Sequence, residues 1–186
     1  MSEKEKKPYV TYGSCACGCS GATKEITGCR FSLSPMTDRF VDVILGAIEK
    51  VHTDKVWSTT DKLSTIYRGK REHVLDAVKA CMVHAYHEGV HMTMEATVSK
   101  GCPGDTDAER VLAEDDVRLN EPETRDIHFP VACKIALYPM GVPDYMKYIA
   151  DVVNMAIDCG VYEQSSHYAT ILEGDVQDLV AYFDKA

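Results

Sequence analysis

Apolar residues along this chain switch between a helical and a strand-like period, and the whole pattern occurs twice. After Met36, the residues Phe40, Val43, Ile44, Ala47, Ile48 and Val51 recur at helical spacing, which predicts an amphipathic helix. After Met140, the residues Tyr145, Met146, Ile149, Val152, Val153, Ala156 and Ile157 repeat the stripe. Thr37 and Asp38 are candidate N-caps of the first helix, Pro143-Asp144 opens the second, and Cys159-Gly160 supplies its stop. Two short β-prone runs follow each helix, residues 55–60 and 63–68 in the first case and 161–165 and 168–173 in the second. Each pair leads through a glycine, Gly69 or Gly174, into another helix, marked by Val74, Val78 and Cys81 or by Val176, Leu179 and Phe183. Finally, Met92, Met94, Ala96 and Val98 alternate with polar residues, the signature of a half-buried strand.

The residues repeat as well as the periods. Cys29-Arg30-Phe31-Ser32-Leu33-Ser34-Pro35-Met36 returns 104 residues later as Cys133-Lys134-Ile135-Ala136-Leu137-Tyr138-Pro139-Met140. Thr65-Ile66 and Gly69 return as Thr170-Ile171 and Gly174, at an offset of 105. The fold class expected is therefore α+β: tandem ferredoxin-like (ACT-like) βαββαβ repeats, the second copy lacking its last strand. The expected organisation is an N-terminal cysteine-rich tail at 1–28, a first repeat at 29–101, an acidic linker at 102–130 and an incomplete second repeat at 131–186. Residues 105–126 carry nine acidic and three basic side chains, a net of −6, which suits a solvated linker or a lid over a ligand. Helices cover one face of each sheet. An apolar opposite face would need cover, which predicts an oligomer, most simply a homodimer.

Composition narrows the function. A net charge of −9 and a pI of about 5.2 argue against a nucleic-acid partner, which needs a clustered basic surface. No apolar run reaches the roughly 20 residues of a membrane span, and the charged start lacks the apolar core of a signal peptide. The expectation is a cytoplasmic protein with no direct membrane insertion. Cys81, Cys133 and Cys159 fall in apolar stretches and read as small hydrophobes. Cys15, Cys17 and Cys19 are close enough to share a soft metal such as zinc or copper(I), which makes a metal-binding protein one alternative. They lack the spaced second pair of a structural zinc site, and a glycine-rich tail fits the run equally well. His84, His87 and His91 raise catalysis, but no metalloprotease motif accompanies them, and they sit near a helix C-terminus, where the dipole favours histidine. With no phosphate-cradling loop or nucleophile elbow either, neither an enzyme nor a bound cofactor is expected. An ACT-like regulatory sensor is a further alternative.

Several segments together carry a resemblance: Phe31-Ser32-Leu33-Ser34-Pro35-Met36-Thr37-Asp38, Lys55-Val56-Trp57-Ser58-Thr59-Thr60-Asp61, Gly101-Cys102-Pro103-Gly104-Asp105-Thr106, Ala136-Leu137-Tyr138-Pro139-Met140, Pro143-Asp144-Tyr145-Met146 and His167-Tyr168-Ala169. From about Cys19 to Ala186 the chain resembles the YkoF thiamine/hydroxymethylpyrimidine-binding family. That resemblance implies tandem ACT-like units, dimers, binding of thiamine once per unit, and a role in uptake or salvage of the vitamin or its pyrimidine precursor, with a functional link to a transporter. The missing closing strand and the cysteine run before residue 20 depart from the family pattern.

The implied ligand fixes the chemistry to look for. An aminopyrimidine edge alternates donors and acceptors, so it needs a few placed hydroxyls or carboxylates in an otherwise apolar pocket. The thiazolium of thiamine adds a cation that favours aromatic faces. Candidates in copy one are Ser32, Trp57, Thr60, Asp61 and Thr65; in copy two they are Tyr138, Ser166, His167 and Thr170. Each has a plain alternative: β-propensity for the threonines, core packing for Trp57, a turn for Asp61. Thr65 and Thr170 are the hydroxyl pair kept identical in these strands.

Overall fold

The computed structural model describes residues 25–101 and 108–186. The first repeat runs β1 (Thr27–Pro35), α1 (Phe40–Ile48), β2 (Trp57–Thr60), β3 (Thr65–Gly69), α2 (Arg71–Ala85) and β4 (Met92–Lys100). Its four strands form an antiparallel sheet in the order β2-β3-β1-β4, the ferredoxin-like arrangement. Strand alternation sends Cys29 and Phe31 of β1 toward the helices. There they join Tyr67, Val74, Ala77, Ala80 and Cys81 in one core, with Phe31 and Tyr67 rings 5.1 Å apart. Burial pushes the thiols of Cys29 and Cys81 up to about 12 and about 11, so both behave as core hydrophobes. Helix α1 starts at Phe40 behind Arg39, with no side-chain cap. Thr37, expected to cap it, instead accepts the Arg39 N–H at 3.3 Å, one turn early.

The second repeat runs β5 (Pro130–Ile135), α5 (Tyr145–Asp158), β6 (Tyr162–Ser166), β7 (Ala169–Asp175) and α6 (Val176–Phe183). Its sheet has three strands in the order β5-β7-β6, matching β1, β3 and β2, and no fourth strand pairs with β5 among the described residues. Leu172, Leu179, Tyr182, Ala156 and Val161 form its core. The two matched glycines have one physical reason. A Cβ on Gly69 would stand 3.2 Å from the Lys55 carbonyl oxygen, and one on Gly174 would stand 3.3 Å from Val161 Cγ1. Both sites need close backbone approach where the strand passes into its helix.

The segment between the sheets is a clasp. It contributes α3 (Ala108–Leu112) and α4 (Glu121–Thr124), and its acidic groups dock on basic groups of the first repeat. Lys55 pairs with Asp115 and Lys70 with Asp116, and Lys70 also donates to the Glu114 carbonyl. Lys79, with a side chain only 3% exposed, meets Glu121 Oε2 at 2.9 Å. Asn120 N and Nδ2 both donate to Asp76 Oδ2, and the Asn120 side chain also bridges the backbone of His52. Beyond the clasp, Val83, Phe129 and Val176 pack together and Tyr86 stacks on Phe129 at 4.0 Å, joining α2 of one repeat to the start of the other.

Candidate functional site

Strand register divides the copy-one candidates between two faces. Phe31 pairs with Thr65 and Cys29 with Tyr67, so Thr65 points into the helix-covered side. Thr60 lies opposite Thr65, and their hydroxyl oxygens stand 3.0 Å apart. Ser32 lies on the other, open face, opposite Glu95. Trp57 is on that face too, opposite Arg68, whose guanidinium lies 4.5 Å over the indole. Asp61 is occupied as a turn residue: Oδ1 accepts the N–H groups of Leu63 and Ser64 at 2.8 and 2.9 Å, and Oδ2 meets Arg30 at 2.6 Å. Those bonds, led by the one from Arg30, hold its carboxyl well below the usual carboxylate range.

Copy two reproduces the inward half of this arrangement. Thr170 lies opposite Ser165 and Ile135, as Thr65 lies opposite Thr60 and Phe31. Thr65 and Thr170 are each 8% exposed. Ser165 Oγ and the Tyr162 hydroxyl stand 3.1 Å apart, and the Thr170 hydroxyl makes no hydrogen bond among the described residues. Ser166 pairs with Ala169 at the end of the hairpin, on the opposite face from Thr170. His167 and Tyr168 form the two-residue tip between them, and Tyr138 is exposed in the loop after β5. Ser165 and Tyr162, which align with Thr60 and Trp57 in the repeat, join the inward group. Cys15, Cys17 and Cys19 lie outside the described residues. Among the described residues no group of three or more His, Cys, Asp or Glu side chains is placed to hold a metal.

The open face of the first sheet is mostly polar: Arg30, Ser32, Ser34, Thr59, Thr93, Glu95, Thr97 and Ser99 outnumber Trp57 and Ile66. The apolar face expected to demand cover is thus absent here, and hydration of this face costs little. A cleft of about 490 Å³ opens on it, lined by Arg30, Ser32, Leu63, Ser64, Glu95 and Thr97. Glu95 and Thr97 escaped sequence reasoning because alternating polar residues in a strand read simply as a solvated face. A second hollow, about 330 Å³, lies between α2, the clasp and α6. Its charges are largely paired already, Lys79 with Glu121 and Arg118 with Asp184 at 2.7 Å.

His84, His87 and His91 do not converge on a site: His87 Nδ1 bonds the Ala85 carbonyl at 3.0 Å, and His91 takes part through its backbone oxygen, which accepts from Met36 N. No helix among the described residues is long and apolar enough to cross a membrane.

Comparison with known proteins gives two matches. The sequence model of the YKOF-related family matches residues 26–105 and 130–186, one stretch per repeat. A Bacillus subtilis (strain 168) protein named "Putative HMP/thiamine-binding protein YkoF" is 46% identical over 157 residues, covering 84% of this chain and 78% of the relative.

Proposed function

The chain belongs to the YKOF-related family, and on that premise we propose that it binds hydroxymethylpyrimidine, alone or as part of thiamine, without transforming it. The observation that carries this reading is the duplicated inward hydroxyl set, Thr60 with Thr65 and Ser165 with Thr170, in the same register in both repeats. Thr65 and Thr170 are buried, while Thr60 and Ser165 stay exposed beside them. The Thr170 hydroxyl has no hydrogen-bond partner among the described residues, a buried hydroxyl is costly unless satisfied, and a pyrimidine edge offers it a donor or acceptor. The name carried by the Bacillus subtilis relative supports the same ligand class. Salvage or uptake of the vitamin in the cytoplasm completes the proposal, with a homodimeric assembly that rests on the family resemblance alone and not on an apolar sheet face; the acidic balance suits a neutral or cationic ligand over a phosphorylated one.

A second location has its own support. The outer cleft combines Ser32, Glu95 and Thr97 in a volume large enough for the ligand, and a carboxylate pairs well with an aminopyrimidine edge. It is not duplicated, because Ala136 replaces Ser32 and no described strand of copy two stands opposite it. The inward sets are therefore preferred.

Calorimetric titration with hydroxymethylpyrimidine, thiamine and thiamine diphosphate tests the function. Two binding events per chain are expected, with the diphosphate weakest, and saturating ligand should raise the melting temperature. No heat and no thermal shift with either unphosphorylated ligand at millimolar concentration would refute it.

A further inference from the structure

Resting on that reading, we propose that the hairpin tip of each repeat sets the charge of the ligand it accepts, with Tyr168 selecting the cationic thiazolium end of thiamine in repeat two. The residue two positions before the inward threonine is Leu63 in repeat one and Tyr168 in repeat two. Both sit at the β-hairpin tip beside that threonine, and both are bare, Leu63 at 86% and Tyr168 at 98% exposure. The β5–β7 pairing ends at Ile135 opposite Thr170; Tyr138 follows in the loop after β5, and His167 precedes Tyr168 at the hairpin tip. Tyr138 is itself exposed. The matched residues of repeat one are Ser34 and Lys62. Repeat two thus offers two tyrosine rings and an imidazole where repeat one offers a hydroxyl, an ammonium and a leucine.

The backbone adds an independent reason. Tyr168 has φ of 63°, the one non-glycine residue in the left-handed region among the described residues. Glycine or asparagine takes that conformation readily, and a tyrosine does not. An exposed ring returns no burial to offset the strain; its one ring contact among the described residues is His167, 6.4 Å away. The two-residue tip itself calls for a positive φ, and a tyrosine kept there, where glycine or asparagine fits more easily, leaves an aromatic face in the open for a ligand. A flat cation is the partner that a tyrosine face attracts most, and Lys62 would repel the same cation at the other tip.

Calorimetry with thiamine and with hydroxymethylpyrimidine on the full chain tests this. Tyr168→Leu should weaken the thiamine event of repeat two about three- to five-fold and leave the pyrimidine affinity within two-fold. The double change Lys62→His with Leu63→Tyr should tighten thiamine at repeat one by a similar factor. Tyr168→Gly guards against misfolding as the cause: it should melt at or above the wild-type temperature and still lose the thiamine preference. Equal weakening of both ligands by Tyr168→Leu, or no change in either, would overturn the assignment. A wild-type chain that binds neither ligand would overturn the proposed function and this inference with it.

Discussion

Asn120 presents its backbone N–H and its side-chain amide to a single oxygen of Asp76, each at 2.9 Å, and both residues are almost wholly buried. The contact ties the acidic clasp to the outer face of α2 and turns a charged stretch into structure. Asn120→Ala removes the side-chain donor and leaves a buried carboxylate short of a partner, a change that costs about 2–3 kcal/mol. Urea unfolding should show a midpoint lowered by roughly 1 M with the slope unchanged. An unchanged midpoint would mean that the clasp contributes nothing to stability.

Stability should also fall in acid. Asp61 is held low by its bond from Arg30 and by the N–H groups of Leu63 and Ser64, Asp115 chiefly by Lys55, and Asp116 by Lys70. A carboxyl whose folded pKa is depressed stabilises the native state above its unfolded value, about 4, and that contribution is lost as pH falls through the folded value. All three groups are solvent-exposed, so salt screens each effect. Melting temperatures measured from pH 6 down to pH 2 should be level at first and decline below about pH 4. Asp61→Asn should lie below wild type on the plateau, with the gap closing toward pH 2. A constant gap across the range would show that the ionised form of Asp61 is not what matters.

How far the sequence reads out this molecule depends on the kind of signal. The duplicated Cys29 and Cys133 segments and the two matched glycines gave the tandem fold, because a strand entering a helix through a crowded glycine repeats its own packing problem each time. The matched threonines led to the inward hydroxyls for the same reason. Faces were less legible. Ser32, Trp57 and Thr65 looked like one cluster, yet a period of two and the β1–β3 register send Ser32 and Thr65 to opposite sides of the sheet. The clasp was hidden because its partners are distant. Nothing local to Asp115, Asp116 or Glu121 announces Lys55, Lys70 and Lys79, which lie between 42 and 60 residues away.

The inward hydroxyls can be set against the outer cleft by four substitutions. Thr65→Ala removes one member of the hydroxyl pair in repeat one, and Thr170→Ala removes the hydroxyl of repeat two that has no hydrogen-bond partner among the described residues. Each should weaken one of the two ligand-binding events by about 1 kcal/mol, roughly a five-fold rise in Kd, and leave the other event in place. The effects should combine additively in the double variant, since the two sites share no residue. Ser32→Ala and Glu95→Gln in the outer cleft should leave both events within two-fold of wild type. Threonine-to-alanine changes remove little packing, so a circular-dichroism melt close to wild type is expected for each and would tie the loss to the ligand. If Ser32→Ala and Glu95→Gln weaken binding while the two threonine variants do not, the ligand sits on the open face of the first sheet, with one event per chain instead of two.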